Sequence, residues 1–159
     1  MTDHIKLIGN VASPYTRKMI AYLRYKRIPY EVIWGQPEDV LREMNIEPPK
    51  PILLPVFILD RDGQATAVTD STPLIREFEE KYSYRSVLPK DPALNFINYV
   101  LEDFGDEWCT KFMFHYRWHF DEDADNAGTI LPLGINSNLK DDELAFFKEH
   151  FAKRQIDRL

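Results

Sequence analysis

A serine, a proline and a tyrosine stand together at Ser13-Pro14-Tyr15, inside the stretch VASPYTRK. An apolar run, HIKLIG, precedes them and an amphipathic one, MIAYLRYKRI, follows, so Ser13 falls where a strand ends and a helix begins. A hydroxyl there lies beside free backbone N–H groups and the positive end of the helix dipole, a setting that favours an anion such as a thiolate. Ser13 as cap and Pro14 as first residue also satisfy the ordinary rules for starting a helix, with no ligand at all. Tyr15 offers a rival hydroxyl, but it shares a helix face with Met19 and Tyr22, which marks its ring for the core. A second polar cluster, Asp70-Ser71-Thr72, opens the run STPLIREFEEKY; Thr72 is the expected cap and Pro73 the first helical residue. Capping needs only one of the three side chains, so polar groups are left over.

Other chemistry-bearing residues have plainer readings. His115 and His119 stand one helical turn apart, a spacing metal sites use, but no cysteine or third histidine is near and no metal is expected. Phe104, Trp108 and Phe112 recur with His115 at helical spacing and suit a packed face or the wall of an apolar pocket. The acidic run from Asp121 to Asp125 reads as a solvated loop, too irregular for a calcium loop. Cys109 reads as a small buried apolar side chain.

The elements that must position these residues follow from periodicity. Ile5, Leu7 and Ile8 suit a short buried strand, and Pro14 to Lys26 carries Tyr15, Met19, Ile20, Tyr22 and Leu23 at helical spacing. PYEVIW (29–34) is a second strand, so the first three elements imply a right-handed parallel βαβ unit. PEDVLREMN (37–45) reads as an irregular helix, and VFIL and ATAV as strands joined through Asp62-Gly63. With the helix after Ser71 the order is β-α-β-(α)-β-β-α, a small mixed sheet covered by helices. Beyond SYRSVLPK the chain turns helical: a long segment from Pro92 bends near Gly105, and a last amphipathic helix carries Leu144, Phe147 and Phe151 on one stripe. That helix has no stop signal, and the helical part reads as incomplete.

Composition narrows the function classes. With 44% hydrophobic and 13% aromatic residues there is ample material for a core. A formal charge of −6 argues against nucleic acid, whose phosphates need a positive surface. The imbalance is uneven: residues 1–82 hold 12 acidic and 11 basic groups, and residues 83–159 hold 14 and 9. No apolar run suits a membrane span, MTDHIKLIG lacks the features of a signal peptide, and a single cysteine suits a reducing compartment, so a cytoplasmic protein is expected.

The order of these motifs resembles that of the glutathione S-transferase family: SPYTRKMIAYLRYKRIPYEV, then LLPVFIL, then DSTPLIREFEEKY, then VLPKDPA as a linker. The Ser-Pro start is most similar to Tau and Zeta-like classes. The resemblance implies a thioredoxin-like glutathione-binding domain over 1–82, a linker over 83–90 and a shortened all-helical domain over 91–159. It also implies that the Ser13 hydroxyl activates the glutathione sulfur, with Tyr15 as the alternative. Leu54-Pro55 matches the family's cis-proline step, whose preceding backbone pairs with the cysteinyl part, and Asp70-Ser71 match the pair that holds the γ-glutamyl end. Glutathione is thus the implied co-substrate, a small apolar electrophile the second substrate, and a homodimer the implied assembly. Two departures stand out: Leu53 occupies a position where Tau-like members carry lysine, with Lys50 the nearest substitute, and the Val56 to Val68 hairpin is long. Retention of the fold as a non-catalytic binding or assembly module is the alternative.

Overall fold

The computed structural model describes residues 5–157. The chain divides between Val87 and Leu88 into two compact units, each taken by itself below.

The first unit is built on four strands: β1 (Ile5–Gly9), β2 (Tyr30–Trp34), β3 (Val56–Arg61) and β4 (Gln64–Val68), in the order β2-β1-β3-β4. β1 runs parallel to β2 and antiparallel to β3, and β3 and β4 form a hairpin turned at Asp62-Gly63, both at positive φ. Alternation along the strands sorts the apolar residues onto two faces. The pair Leu7 and Phe57 points to one side, where α1 (Pro14–Lys26) and α3 (Ser71–Lys81) supply Met19, Leu23, Leu74 and Phe78. The next pair, Ile8 and Val56, points to the other, against Leu41 and Val40 of α2 (Pro37–Glu43).

One expectation is corrected in this unit: α3 begins at Ser71 with Asp70 as cap, so Thr72 is already inside the helix. The Asp70 carboxylate reaches the Thr72 N–H first, at 3.3 Å. The turn between β1 and α1 is closely packed. Thr16 is fully buried against Gly9, where an added Cβ would sit 2.5 Å from its methyl group. Gly9 is therefore fixed by close approach.

One feature of the core has no sequence signal. Lys26, wholly buried, pairs with Glu79 at 2.8 Å. The same Glu79 oxygen accepts from the Tyr22 hydroxyl at 2.8 Å, while the other accepts from Ser86 Oγ at 2.5 Å and the Val87 N–H at 3.2 Å. Lys26 also donates to the Tyr82 carbonyl at 2.5 Å. One carboxylate thus collects donors from α1 and from the strap 82–87, binding the end of the unit back onto its first helix. Burial by itself raises the Glu79 carboxyl, but the hydrogen bonds from Lys26, Ser86 and Tyr22 outweigh it and hold it below the usual range. Burial, together with the bond to Glu79, pushes the Tyr22 phenol far up, so it stays a donor.

The second unit is helical: α4 (Pro92–Asp103), a π-helical turn (Phe104–Trp108), α5 (Cys109–His119), α6 (Asp121–Ile135) and α7 (Asp141–Ile156). The bend expected near Gly105 is this π-turn, where the Cys109 N–H reaches back to the Phe104 carbonyl. The expected acidic loop is wrong: Asp121, Glu122 and Asp123 form the first turn of α6, where carboxylates answer the helix dipole. Cys109 is exposed, contrary to expectation. On α7, Leu144 and Phe151 are half-buried while Phe147 is exposed. The stripe there is completed by the stem of Lys148, which crosses Gly128 of α6, and its ammonium pairs with Asp125. Trp118 is buried and tilts against Phe151. No described helix is long and apolar enough to cross a membrane.

Removing one partner of the buried pair leaves the other charge stranded, so Lys26→Met should cost about 3–5 kcal/mol in urea unfolding. The Lys26→Met/Glu79→Leu double variant should recover much of that loss. Because the Glu79 carboxyl is lowered in the folded state, its stabilisation is full above the ordinary carboxylate value of about 4.3 and fades as pH falls through the folded value. Glu79→Gln should flatten the pH dependence of stability in that acidic window. Gly9→Ala should cost about 1–3 kcal/mol by overpacking against Thr16.

Candidate functional site

The Ser13 to Ser71 region draws on two loop–helix junctions and one loop–strand junction of the first unit. At the first, Asn10 acts as the organiser: its carbonyl accepts from the Ser13 N–H at 3.1 Å and its side chain from the Ala12 N–H at 2.9 Å. Its own N–H donates to Thr16 Oγ1 at 3.4 Å. Ser13 is thereby held extended, at φ −78° and ψ 121°, as the cap of α1. Its Oγ accepts from the Thr16 N–H at 3.2 Å. That bond uses a lone pair and leaves the hydroxyl proton free to be given to another acceptor. Tyr15 is half-buried.

At the second junction, Leu54-Pro55 is cis, as is Lys50-Pro51. Leu54 lies just before the strand register, whose first pair on β3 is Ile8 with Val56. Pro55 is buried and Leu53 exposed. The Leu53 carbonyl accepts from Thr69 Oγ1 at 2.7 Å, which ties this loop to the approach of α3.

The third junction is the start of α3. Asp70 has φ 81° and ψ 117°, a left-handed conformation that a non-glycine residue adopts only when its surroundings impose it. Strain of this kind gathers at ligand clamps and costs on the order of 1–3 kcal/mol. Ser71 is buried, and its Oγ accepts from Lys18 Nζ at 3.2 Å. Lys18 thus brings a cation from α1 to the N-terminus of α3.

Sequence reasoning missed Lys18 and Thr69. Lys18 lies off the apolar stripe of its helix and Thr69 belongs to no motif, so only the tertiary contact gives either a role. Of the residues singled out elsewhere, His115 and His119 stack ring on ring, centroids 4.6 Å apart, on α5 of the second unit. No group of three or more metal-ligating side chains occurs among the described residues. An open groove of about 390 Å³ between α6 and α7, with Ala124, Asp125, Ala145 and Lys148 on its walls, is lined by no serine, cysteine or histidine and lies in the other unit.

A four-stranded mixed sheet with two helices on one face, a cis-proline ahead of its third strand and a helical unit behind defines a thioredoxin-like domain followed by an all-α part. Residues 7–86 match the family described as glutathione S-transferase, N-terminal domain. The chain belongs to the glutathione S-transferase family. It is 30% identical over 95 residues to glutathione S-transferase U8 of Arabidopsis thaliana, a match over 57% of this chain and 39% of that relative.

The fold is shared with a Tau class glutathione S-transferase of mango, Mangifera indica, at 24% identity and a TM-score of 0.54. That likeness covers 84% of this chain and 61% of the mango chain. A glutathione S-transferase of Rhodospirillum rubrum gives a TM-score of 0.55 at 21% identity, covering 96% of this chain and 64% of that one. A maleylacetoacetate isomerase of Anaeromyxobacter dehalogenans, solved with glutathione bound, gives 0.54 at 15% identity, covering 97% of this chain and 83% of that one. The chain therefore spans less than two thirds of the mango and Rhodospirillum chains.

The cap at Ser13 has a stability consequence independent of any ligand. Ser13→Ala removes the acceptor for the Thr16 N–H and should cost about 1 kcal/mol in urea unfolding. Ser13→Asn, which keeps a capping oxygen, should cost much less.

Proposed function

We propose that this chain binds glutathione and adds its thiolate to a small apolar electrophile. The observation that carries the reading is the Ser13 hydroxyl, held at a helix N-terminus by one accepted hydrogen bond with its own proton still to give. Such a hydroxyl stabilises a thiolate by donation, and the adjacent α1 terminus adds a favourable field. Accepting a bond also polarises the hydroxyl and makes it a better donor.

Around that sulfur position the chain supplies groups suited to a short acidic peptide. The Leu54 backbone, outside the strand ladder, suits the cysteinyl backbone in the manner of an added strand. Ser71 and the start of α3, with Lys18 alongside, suit the γ-glutamyl carboxylate, and Asp70 suits the ammonium. The relative solved with glutathione bound and the Tau-like relatives support the peptide assignment. The electrophile receives attack by sulfur at carbon, its leaving group departs with the bonding pair, and the thiol proton passes to solvent. The same family membership supports assembly as a homodimer, and the extensive apolar surface of the helical unit adds to that reading.

Two measurements on each variant test the chemistry: glutathione binding by calorimetry and turnover with a generic aromatic electrophile. Ser13→Ala should lower turnover about ten- to a hundredfold, the loss of one charge-assisted hydrogen bond, with a much smaller change in affinity. Tyr15→Phe should change neither by more than about twofold, since under this assignment its hydroxyl plays no part. Lys18→Met should weaken glutathione binding roughly tenfold, the loss of one charged contact, and Lys18→Arg should restore most of it. Binding without turnover in the unaltered protein would establish the non-catalytic binding module instead. Loss of turnover in Tyr15→Phe but not Ser13→Ala would exchange the two roles.

A further inference from the structure

Helix α1 carries Arg17, Lys18, Arg24 and Lys26 and no acidic residue. Arg17 and Lys18 stand in its first two turns, toward the positive end of the helix dipole, where a cation is unfavourable unless something negative answers it. Lys18 turns to Ser71 of α3. Arg17, about 100° away around the helix, takes another course: its Nε donates to the Val11 carbonyl at 2.9 Å. Helical side chains lean toward the N-terminus, so this bond draws the guanidinium back over the turn that carries Ser13. Ser13 and Arg17 lie one turn apart on the same face, and the Ser13 carbonyl accepts from the Arg17 N–H at 3.1 Å.

The bond to Val11 uses one guanidinium donor and meets a neutral acceptor, so the charge itself is unanswered. Other cations of this unit sit against carboxylates: Lys6 with Glu31, Lys26 with Glu79, Arg42 with Asp39 and Arg61 with Glu77. Arg17 has no carboxylate partner among the described residues. Anchoring at Nε fixes the guanidinium plane and leaves its Nη groups to offer, the arrangement that takes a carboxylate through two hydrogen bonds. Val11, which holds the anchor, is itself about half exposed, and Ala12 is half-buried. An oriented cation and apolar surface therefore lie side by side next to the Ser13 hydroxyl.

We propose that Arg17 selects the second substrate: an electrophile with a small apolar body, resting on Val11, and a carboxylate held by the Arg17 guanidinium. The inference rests on the transferase reading and names the substrate class of that same site. The bond changes stay as written above: sulfur bonds to carbon, the leaving group departs with the bonding pair, and the thiol proton passes to solvent. Arg17 meets a group that keeps its charge throughout, so it acts on KM and leaves kcat alone.

A matched pair of electrophiles tests it: 4-chloro-3-nitrobenzoate and the uncharged 4-chloro-3-nitrobenzamide, each losing chloride to the thiolate. With each kcat/KM divided by the uncatalysed rate with glutathione, the benzoate should be favoured about three- to tenfold, through KM. The preference should shrink as salt rises toward about 0.5 M. Arg17→Met should bring the ratio to about one, and Arg17→Lys should keep part of it. Binding of the chlorine-free 3-nitrobenzoate and 3-nitrobenzamide, followed by NMR titration, repeats the comparison without turnover. Absence of turnover with both electrophiles would overturn the transferase reading, while a nitrobenzoate preference that Arg17→Met removes would still uphold the role of Arg17. Equal binding of the two nitro compounds, or a preference that survives Arg17→Met, overturns the proposal. So does a loss of glutathione affinity in Arg17→Met with the preference unchanged, which would give this cation to the peptide.

Discussion

The first unit closes on a single buried carboxylate. Glu79 accepts from Lys26, Tyr22, Ser86 and the Val87 backbone, so the strap after α3 cannot leave without taking hydrogen-bond donors from a buried carboxylate. A buried ion pair is a poor source of net stability, because desolvating two charges offsets most of their attraction. What it supplies is definition: only one position of 82–87 satisfies every donor and acceptor at once. Tyr84 over Lys26 and Arg85 over the Tyr25 ring extend the same docking along the strap. The exit of the chain from its first unit is set by hydrogen bonds, not by the apolar core.

The site shows a related economy of groups. Ser13 caps α1 by accepting from the Thr16 N–H, so the residue that starts the helix is also the one proposed to meet the thiolate. Ser71 is buried at the start of α3 and takes its bond from Lys18, one turn along α1 from Ser13. Two helix N-termini and a loop before β3 are thus brought to one region by the sheet order β2-β1-β3-β4, which sets β3 beside β1. Strain at Asp70 is tolerated because the sheet on one side and α3 on the other hold its backbone.

The helical unit follows another logic. α6 meets α7 where the Lys148 stem crosses Gly128, and α5 meets α7 where Trp118 tilts against Phe151, whereas α4 packs none of its apolar side chains fully. A helix apolar on most sides needs cover that its own unit does not give. Across the π-turn Phe104 meets Phe112 edge to face.

Sequence pattern alone was enough for the elements of the first unit. Helical spacing bounded α1 at Pro14–Lys26, and β-branched runs marked all four strands, because those signals are local and reflect a side chain's choice between core and water. Ser13 as the cap of α1 was legible for the same reason, since a cap acts on its own backbone. Leu54-Pro55, by contrast, was singled out only through the family resemblance, and at α3 the pattern picked Thr72 in place of Asp70 as the cap. Where a local signal fits two structures the pattern misled. Asp121 to Asp125 suits a solvated loop and a helix start equally, and Cys109 suits burial until its helix is placed. Lys18 beside Ser71, Thr69 on Leu53, and Lys26 against Glu79 were invisible, since each joins residues distant in sequence and each reads alone as a surface polar group. A charge is buried only where folding has already brought it a partner, and that is a property of the tertiary structure alone.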